Sequence, residues 1–106
     1  MDFILFELEQ RRNLEEEYNN YRNNMIGLLK HSKFIQSGGT IGEYITINIS
    51  IDSWEVCEGD IDCAKVLMIY DFSEIKNLYP NASIKITESQ NRGTYGTVYG
   101  LIKVYF

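Results

Sequence analysis

The sequence predicts an α+β fold, in which a long N-terminal helix packs on a curved antiparallel sheet of four to five strands. Two observations carry this prediction. Apolar residues near the N-terminus recur every three or four positions, as they do on one face of an α-helix. Further along the chain they alternate with polar residues, which is typical of a strand with one covered face. A hydrophobic fraction of 44% and a charged fraction of 24% suit a single domain that spans residues 1–106.

The first predicted element is a helix over residues 3–29. This segment is rich in Leu, Glu, Gln and Arg and contains no Pro. Its apolar stripe is continuous over Leu14, Tyr18, Tyr21, Met25 and Leu28. Glu7 and Arg11 interrupt the stripe nearer the N-terminus, so the pattern favours packing on a sheet over a coiled coil between two copies.

The clearest predicted strand covers residues 43–56 and follows a possible short strand at 33–36. Its isoleucines point to one side, while its aromatic, hydroxyl and amide residues point to the other. One apolar and one polar face predict an antiparallel sheet that is covered on one side only. The glycine-rich segment 37–42 lacks the lysine and the following helix of a phosphate-binding loop. It is therefore predicted to be a hairpin or connecting loop, with a ligand flap as the alternative.

Residues 63–72 have two interpretations. As part of a helix over residues 60–78, they would place Ile61, Ala64, Met68, Phe72 and Ile75 on one face. As a strand, they would place alternate residues on one face, and a short helix capped by Ser73 would follow. The density of β-branched and aromatic residues favours the strand, although both interpretations remain open.

The C-terminal part of the sequence predicts a hairpin. Strands at 82–88 and 94–106 flank the turn 90–93, whose Asn and Gly allow the positive φ angles that a tight reversal needs. Gly96 and Gly100 lie on the apolar face of the last strand, which predicts that a bulky group approaches there. The predicted source of that group is the long helix, through Tyr18, Tyr21 and Met25.

Composition limits the classes of partner. The net charge of −5 and the lack of a basic stripe argue against duplex nucleic acid and favour a protein partner with a basic surface. No apolar run approaches the roughly 18 residues of a membrane span. The opening residues also lack a secretion signal, so a cytoplasmic location is expected. Cys57 and Cys63 are expected to be free thiols in that compartment.

No residue pattern indicates catalysis, a metal or a cofactor. His31 is the only histidine, and neither it nor the two cysteines show the spacing of metal ligands. A Gly-x-Ser-x-Gly nucleophile motif is lacking. Segment 52–62 carries five carboxylates without the ligand order of a calcium loop. It is interpreted as a solvated acidic turn or as a contact to a basic partner, and the protein is predicted not to be an enzyme.

The outward side of the sheet is the most suggestive surface in the sequence. Large amphipathic rings alternate there with small polar residues, which is typical of recognition surfaces. A second covering element or a homodimer interface is an equally open explanation. The predicted partner-binding or ligand-binding residues are Tyr44, Trp54, Glu55, Glu58, Asp60, Asp62, Arg92, Tyr95, Tyr99 and Tyr105.

Two function classes follow, with a small enzyme third. The first is a non-catalytic intracellular inhibitor that masks a protein partner. Its small size, acidity and heavy use of Ile, Asn and Tyr resemble inhibitors encoded by viruses of AT-rich bacteria, including anti-CRISPR and other anti-defence proteins. The alternative is a protein that binds or sequesters a nucleotide-like molecule. Aromatic rings would then stack on the base, and the 38–42 loop would close over it together with Arg92.

Overall fold

In the part of the chain that the structure describes, a helix and two strands are followed by two helices and two further strands. A computed structural model describes residues 3–89 and 96–106. The predicted turn 90–93 and the predicted contact residues Arg92 and Tyr95 lie outside these residues. In chain order the elements are α1 (Phe3–Gly27), β1 (Lys33–Thr40), β2 (Tyr44–Asp52), α2 (Ser53–Cys57), α3 (Ile61–Leu78), β3 (Ser83–Ser89) and β4 (Thr97–Tyr105).

The four strands form one open sheet in the order β1-β2-β4-β3. Every neighbouring pair is antiparallel. The edge strands β1 and β3 do not meet, so the sheet does not close. These features confirm the predicted α+β fold with a long N-terminal helix and an antiparallel sheet of four strands.

Strand β2 shows the predicted alternation. Ile45, Ile47 and Ile49 are fully buried, whereas the residues between them are half-exposed. In the register of the sheet, Ile47 pairs with Ile102 of β4. Full burial of such a side chain stabilises the fold by about 1.5–3 kcal/mol, so this row of isoleucines forms the centre of the core.

Helix α3 shows that the preference for a strand at residues 63–72 was wrong. Asp60 begins the helix, because its side chain accepts a hydrogen bond from the Cys63 N–H. Ser73 does not cap a helix but donates to the Ile69 carbonyl within this one. The β-branched and aromatic residues of this segment favour a strand. A helix won because its apolar residues then form one stripe, and this stripe is buried against the sheet. The fully buried apolar residues of the helix are Ala64, Met68 and Ile75.

Only the C-terminal half of α1 packs on the core. Met25 is fully buried, and the Tyr18 hydroxyl donates to the Gly38 carbonyl at 2.8 Å. The N-terminal half extends past the sheet, and its apolar side chains from Ile4 to Leu8 are exposed. The prediction of packing therefore holds for one half of α1 and fails for the other. Helix α3 supplies the main cover of the sheet.

Gly100 lies where a bulky group approaches the sheet, as predicted, but that group belongs to α3. A Cβ at this position would lie 2.7 Å from Met68 Sδ and 3.1 Å from Ile49 Cγ1. The proposed contact with residues of α1 was wrong, because α1 crosses nearer the other end of the sheet. Gly96 has a different role, since its carbonyl accepts hydrogen bonds from the Ser53 N–H and hydroxyl.

The glycine-rich segment belongs to the β1–β2 hairpin, as predicted, but residues 37–40 extend strand β1 and only residues 41–43 form the turn, because residues 37–40 pair with β2. Gly39 and Gly42 have φ angles of 120° and 86°, which other residues rarely adopt. The Glu43 N–H closes the turn by donating to the Thr40 carbonyl at 2.9 Å. A Cβ at Gly39 would collide with the Tyr44 carbonyl oxygen, so close backbone approach explains this glycine.

Candidate partner-binding surface

One side of the sheet is covered by none of the described helices and is called the open face. Helix α3 and the end of α1 both join the core on the opposite side, through Met25 and Met68. Cross-strand pairs place equivalent side chains on the same side, so the register identifies the residues of the open face. They include Gln36, Thr40, Tyr44, Thr46, Asn48, Ser50, Lys85, Thr87, Tyr99, Leu101, Lys103 and Tyr105.

Two of the predicted tyrosines meet at one end of the open face. Tyr44 and Tyr105 pair across β2 and β4, with ring centroids 5.9 Å apart. The Lys103 ammonium lies 4.2 Å and 4.8 Å from these two centroids. A hydrogen bond with Tyr105 raises the pKa of Lys103. The rings and this bond hold a cation at a defined place on the surface.

Tyr99 lies toward the other end of the open face. It pairs with Ser50 and Thr87, and it is 40% exposed. Six residues of strand separate it from Tyr105, which corresponds to about 20 Å. The exposed Leu101 lies between them. A shallow depression of about 390 Å³ is lined by Tyr99 and by Ile35, Gln36, Asn48, Ile49, Lys85, Thr87, Gly100 and Leu101.

The charge of the open face is opposite to that of the whole chain. Lys85 and Lys103 lie on it, and Lys33 lies at its edge, where its ammonium pairs with Glu55 at 3.0 Å. Asp52 is the only carboxylate among the described residues that the register places on this face, and it caps α2. Glu88 of β3 points to the helix side and pairs with Lys65 of α3. The open face is therefore basic in a chain of net charge −5.

Trp54 does not lie on the sheet, contrary to the prediction. Strand β2 ends at Asp52, whose carboxylate accepts a hydrogen bond from the Trp54 N–H and so begins α2. This cap diverts the chain before the predicted alternation reaches Trp54. The Trp54 side chain is exposed on α2, beyond the end of β2, and that end at Asp52 lies about 26 Å along the strand from Tyr44.

The predicted acidic turn is accounted for by local structure. Asp60 caps α3, and Glu58 ends α2 in the left-handed conformation with a φ of 53°. Glu55 pairs with Lys33. Asp62 lies in the first turn of α3, where the helix dipole favours a negative charge. Among these carboxylates, Glu55 reaches the edge of the open face through Lys33, and the others lie at the ends of α2 and α3.

Asp71 is a residue whose importance the sequence did not reveal. It is fully buried, and its carboxylate accepts hydrogen bonds from the backbone N–H groups of Lys30, His31 and Ser32. The His31 ring lies 3.0 Å from the same carboxylate. Burial by itself raises the pKa of Asp71. The hydrogen bonds from His31 and Ser32 lower this pKa by more than burial raises it, so the pKa lies below its usual value. A lone acid within an apolar helix face was the signal that could have indicated this role.

Cys57 and Cys63 are free thiols, as predicted. Burial and a hydrogen bond with Cys63 raise the pKa of Cys57 to about 11, so this thiol stays protonated at neutral pH and is a weak nucleophile. Within residues 3–89 and 96–106, no group of three or more His, Cys, Asp or Glu residues is placed to hold a metal ion.

Comparisons of the chain with family models, curated proteins and solved structures found no match. Among the described helices, none combines the length and apolar character needed to cross a membrane. The open face is the surface on which exposed rings, amides and ammonium groups come together. Its geometry can bind an extended or flat partner through ring contacts, hydrogen bonds and positive charge.

Proposed function

We propose that the protein is a non-catalytic binding protein that masks a protein partner on its open face. The observation that carries this proposal is the exposure of Tyr99 and Tyr105, at 40% and 52%, on a sheet side where no described helix packs. Tyrosines supply large contact areas at low cost in conformational entropy, and the neighbouring hydroxyls and amides supply hydrogen bonds.

The partner surface that fits the open face best is acidic. Lys85 and Lys103 give this face a local positive charge, and the two rings beside Lys103 hold its ammonium in place. Complementary charge speeds association and selects partners, so a carboxylate-rich surface is favoured. The basic partner expected from the net charge would instead fit the acidic residues near α2. An anti-defence role, a viral origin and a cytoplasmic location remain predictions.

Alanine substitution of Tyr99 tests the masking function. The immobilised protein is used to capture partners from the cells that encode it, and the captured protein is then titrated against each variant. We expect Tyr99→Ala to weaken binding at least about tenfold, as loss of a central interface ring does. Tyr70→Ala is the matched control, because Tyr70 is exposed on α3 and lies off the open face. Equal affinities of the two variants would contradict the proposal.

A nucleotide-like ligand is the second candidate, favoured by the depression beside Tyr99. The Tyr99 ring could stack on a base, the Asn48 amide could bond its edge, and Lys85 could bind a phosphate. The predicted closing of the glycine loop does not fit, because Gly42 lies beside Leu14 at the far end of β2. A thermal-shift screen with nucleotides separates the candidates, since a rise in Tm that Asn48→Ala abolishes supports this ligand.

A further inference from the structure

The first turns of the N-terminal half of α1 expose apolar side chains on more than one side of the helix. Ile4 and Leu8 are 70% and 51% exposed, and Phe6 is exposed on another side of the helix. A helix that is hydrophobic all round is normally buried. An isolated helix of about 12 residues is also only marginally stable in water. This half of α1 therefore has the character of a helix that packs against another molecule.

The interrupted stripe of α1 has a self-complementary order. Ile4, Glu7, Arg11 and Leu14 follow the alternating spacing of three and four that continues into the buried part of the helix. Read along the chain, the order is apolar, acidic, basic, apolar. Within the described residues, neither Glu7 nor Arg11 forms an ion pair. When two copies of this segment are aligned antiparallel, apolar residues lie opposite apolar residues, and the acidic residue of each copy lies opposite the basic residue of the other.

We propose that residues 4–14 of α1 pair antiparallel with the same segment of a second copy, about a two-fold axis that passes between the helices at the height of Glu9. Ile4 of one copy then faces Leu14 of the other, and Glu7 faces Arg11. The two-fold axis repeats both contacts, as an isologous interface requires. In the sequence, Glu7 and Arg11 argued against a coiled coil. In the proposed dimer, these two residues set the direction and the register in which the two helices pair.

The base of the projecting helix offers a receiving surface for the second copy. A depression of about 370 Å³ lies there between α1 and the β1–β2 turn, bordered by Leu14, Glu15 and Ile41 among others. Leu14 and Ile41 are both exposed. In the antiparallel register, the apolar tip of one copy reaches this place on the other. The dimer therefore covers Ile4 and Leu14, which lie at the two ends of the paired stripe, whereas Phe6 lies on another side of the helix.

The charges select a second copy in this direction over other occupants. Parallel pairing would set Glu7 against Glu7 and Arg11 against Arg11, and like charges destabilise such contacts. Insertion of the tip into a membrane is disfavoured because Glu7 and Glu9 would approach the headgroups, which are often anionic. The paired segment covers about three helical turns, less than a standard interface, so the dimer is expected to dissociate on dilution.

A charge-swap series tests the dimer by sedimentation over a range of concentrations. We expect wild type to show a monomer–dimer equilibrium. Glu7→Arg and Arg11→Glu should each weaken dimerisation at least about tenfold, because each creates two like-charge contacts. The double variant Glu7→Arg/Arg11→Glu should restore dimerisation to within about threefold of wild type, because it re-forms both opposite-charge pairs.

Two charge reversals outside the paired stripe serve as matched controls. Glu9→Arg and Arg12→Glu change the net charge equally but lie on other sides of the helix, so dimerisation should be unchanged. Circular dichroism verifies that each variant keeps its helix. A wild type that stays monomeric at every concentration would overturn the proposal, as would a double variant no better than the single ones. Neither result affects the open-face function, which rests on other residues.

Discussion

At the scale of single residues, Asp71 is the side chain that ties the long helix to the body of the molecule. Its carboxylate receives three backbone N–H groups from the connection between α1 and β1, and the His31 ring lies beside it. Hydrogen bonds to an ionised group are stronger than neutral ones. One buried acid of α3 therefore fixes the position at which α1 leaves the core.

Replacing Asp71 should destabilise the fold without changing its architecture. We expect Asp71→Asn to lower the free energy of unfolding by about 2 kcal/mol at neutral pH, because the amide leaves buried donors without a charged acceptor. His31→Ala removes only one side-chain contact and should cost less, about 1 kcal/mol. Urea denaturation measures both. A smaller loss for Asp71→Asn than for His31→Ala would contradict this role.

The pH dependence of stability follows from the lowered pKa of Asp71. The native state keeps this carboxylate ionised at pH values where the unfolded chain, with its ordinary value of 3.8, binds a proton. Its contribution is therefore complete above that value and is lost as the pH falls through the folded-state pKa. The stability difference between wild type and Asp71→Asn should hold from neutral pH to about pH 5 and then shrink as the pH falls below 3.8. A constant difference would show that Asp71 does not act through its charge.

At the scale of elements, the caps decide where helices replace strands in the middle of the chain. Asp52 ends β2 by beginning α2, and Asp60 begins α3 after the turn at Glu58. Each cap satisfies an N–H group that the first turn of a helix leaves unpaired. The acidic segment thus owes much of its composition to helix capping.

Substitutions at Asp60 distinguish capping from partner contact. Asp60→Ala should lower the free energy of unfolding by about 1 kcal/mol, whereas Asp60→Asn keeps a capping oxygen and should be nearly neutral. Thermal denaturation compares the two variants. Neither should change affinity for a partner bound on the open face. Weaker partner binding by Asp60→Asn, at unchanged stability, would show that the acidic turn is part of the contact surface.

At the scale of the whole molecule, the chain is elongated and has two separate exposed surfaces. Its principal extents are 63 × 28 × 18 Å, and its radius of gyration is 16.8 Å. A compact chain of this size has a radius near 13 Å. The difference arises from the half of α1 that extends past the sheet. The open face and the α1 tip are thus available to two different partners, a masked protein and a second copy.

Small-angle X-ray scattering tests this shape. The Arg11→Glu variant, as a monomer, should give a radius of gyration close to 16.8 Å plus the hydration layer. Wild type at high concentration should give a larger value, because antiparallel pairing places the two bodies at opposite ends of the joined helices. A monomer value near 13 Å would show that α1 folds back on the sheet.

The sequence alone determined the elements whose pattern is local. The alternation around Ile47 predicted β2 and its buried side, and the turn residues predicted the β1–β2 hairpin and the pairing of β3 with β4. The exposure of Tyr99 and Tyr105 also followed from this alternation. These features depend on the alternation of side chains along a strand and on the backbone angles of turns. Residues close in sequence determine both.

Only the tertiary structure decided the rest. Residues 63–72 suit a strand or a helix, and the need to cover the isoleucines of β2 selected the helix. The role of Asp71 depends on a turn about 40 residues away, and the basic charge of the open face depends on which strands are neighbours. No short stretch of sequence predicts these three features, because they depend on burial, strand order and long-range hydrogen bonds, which exist only in the folded chain.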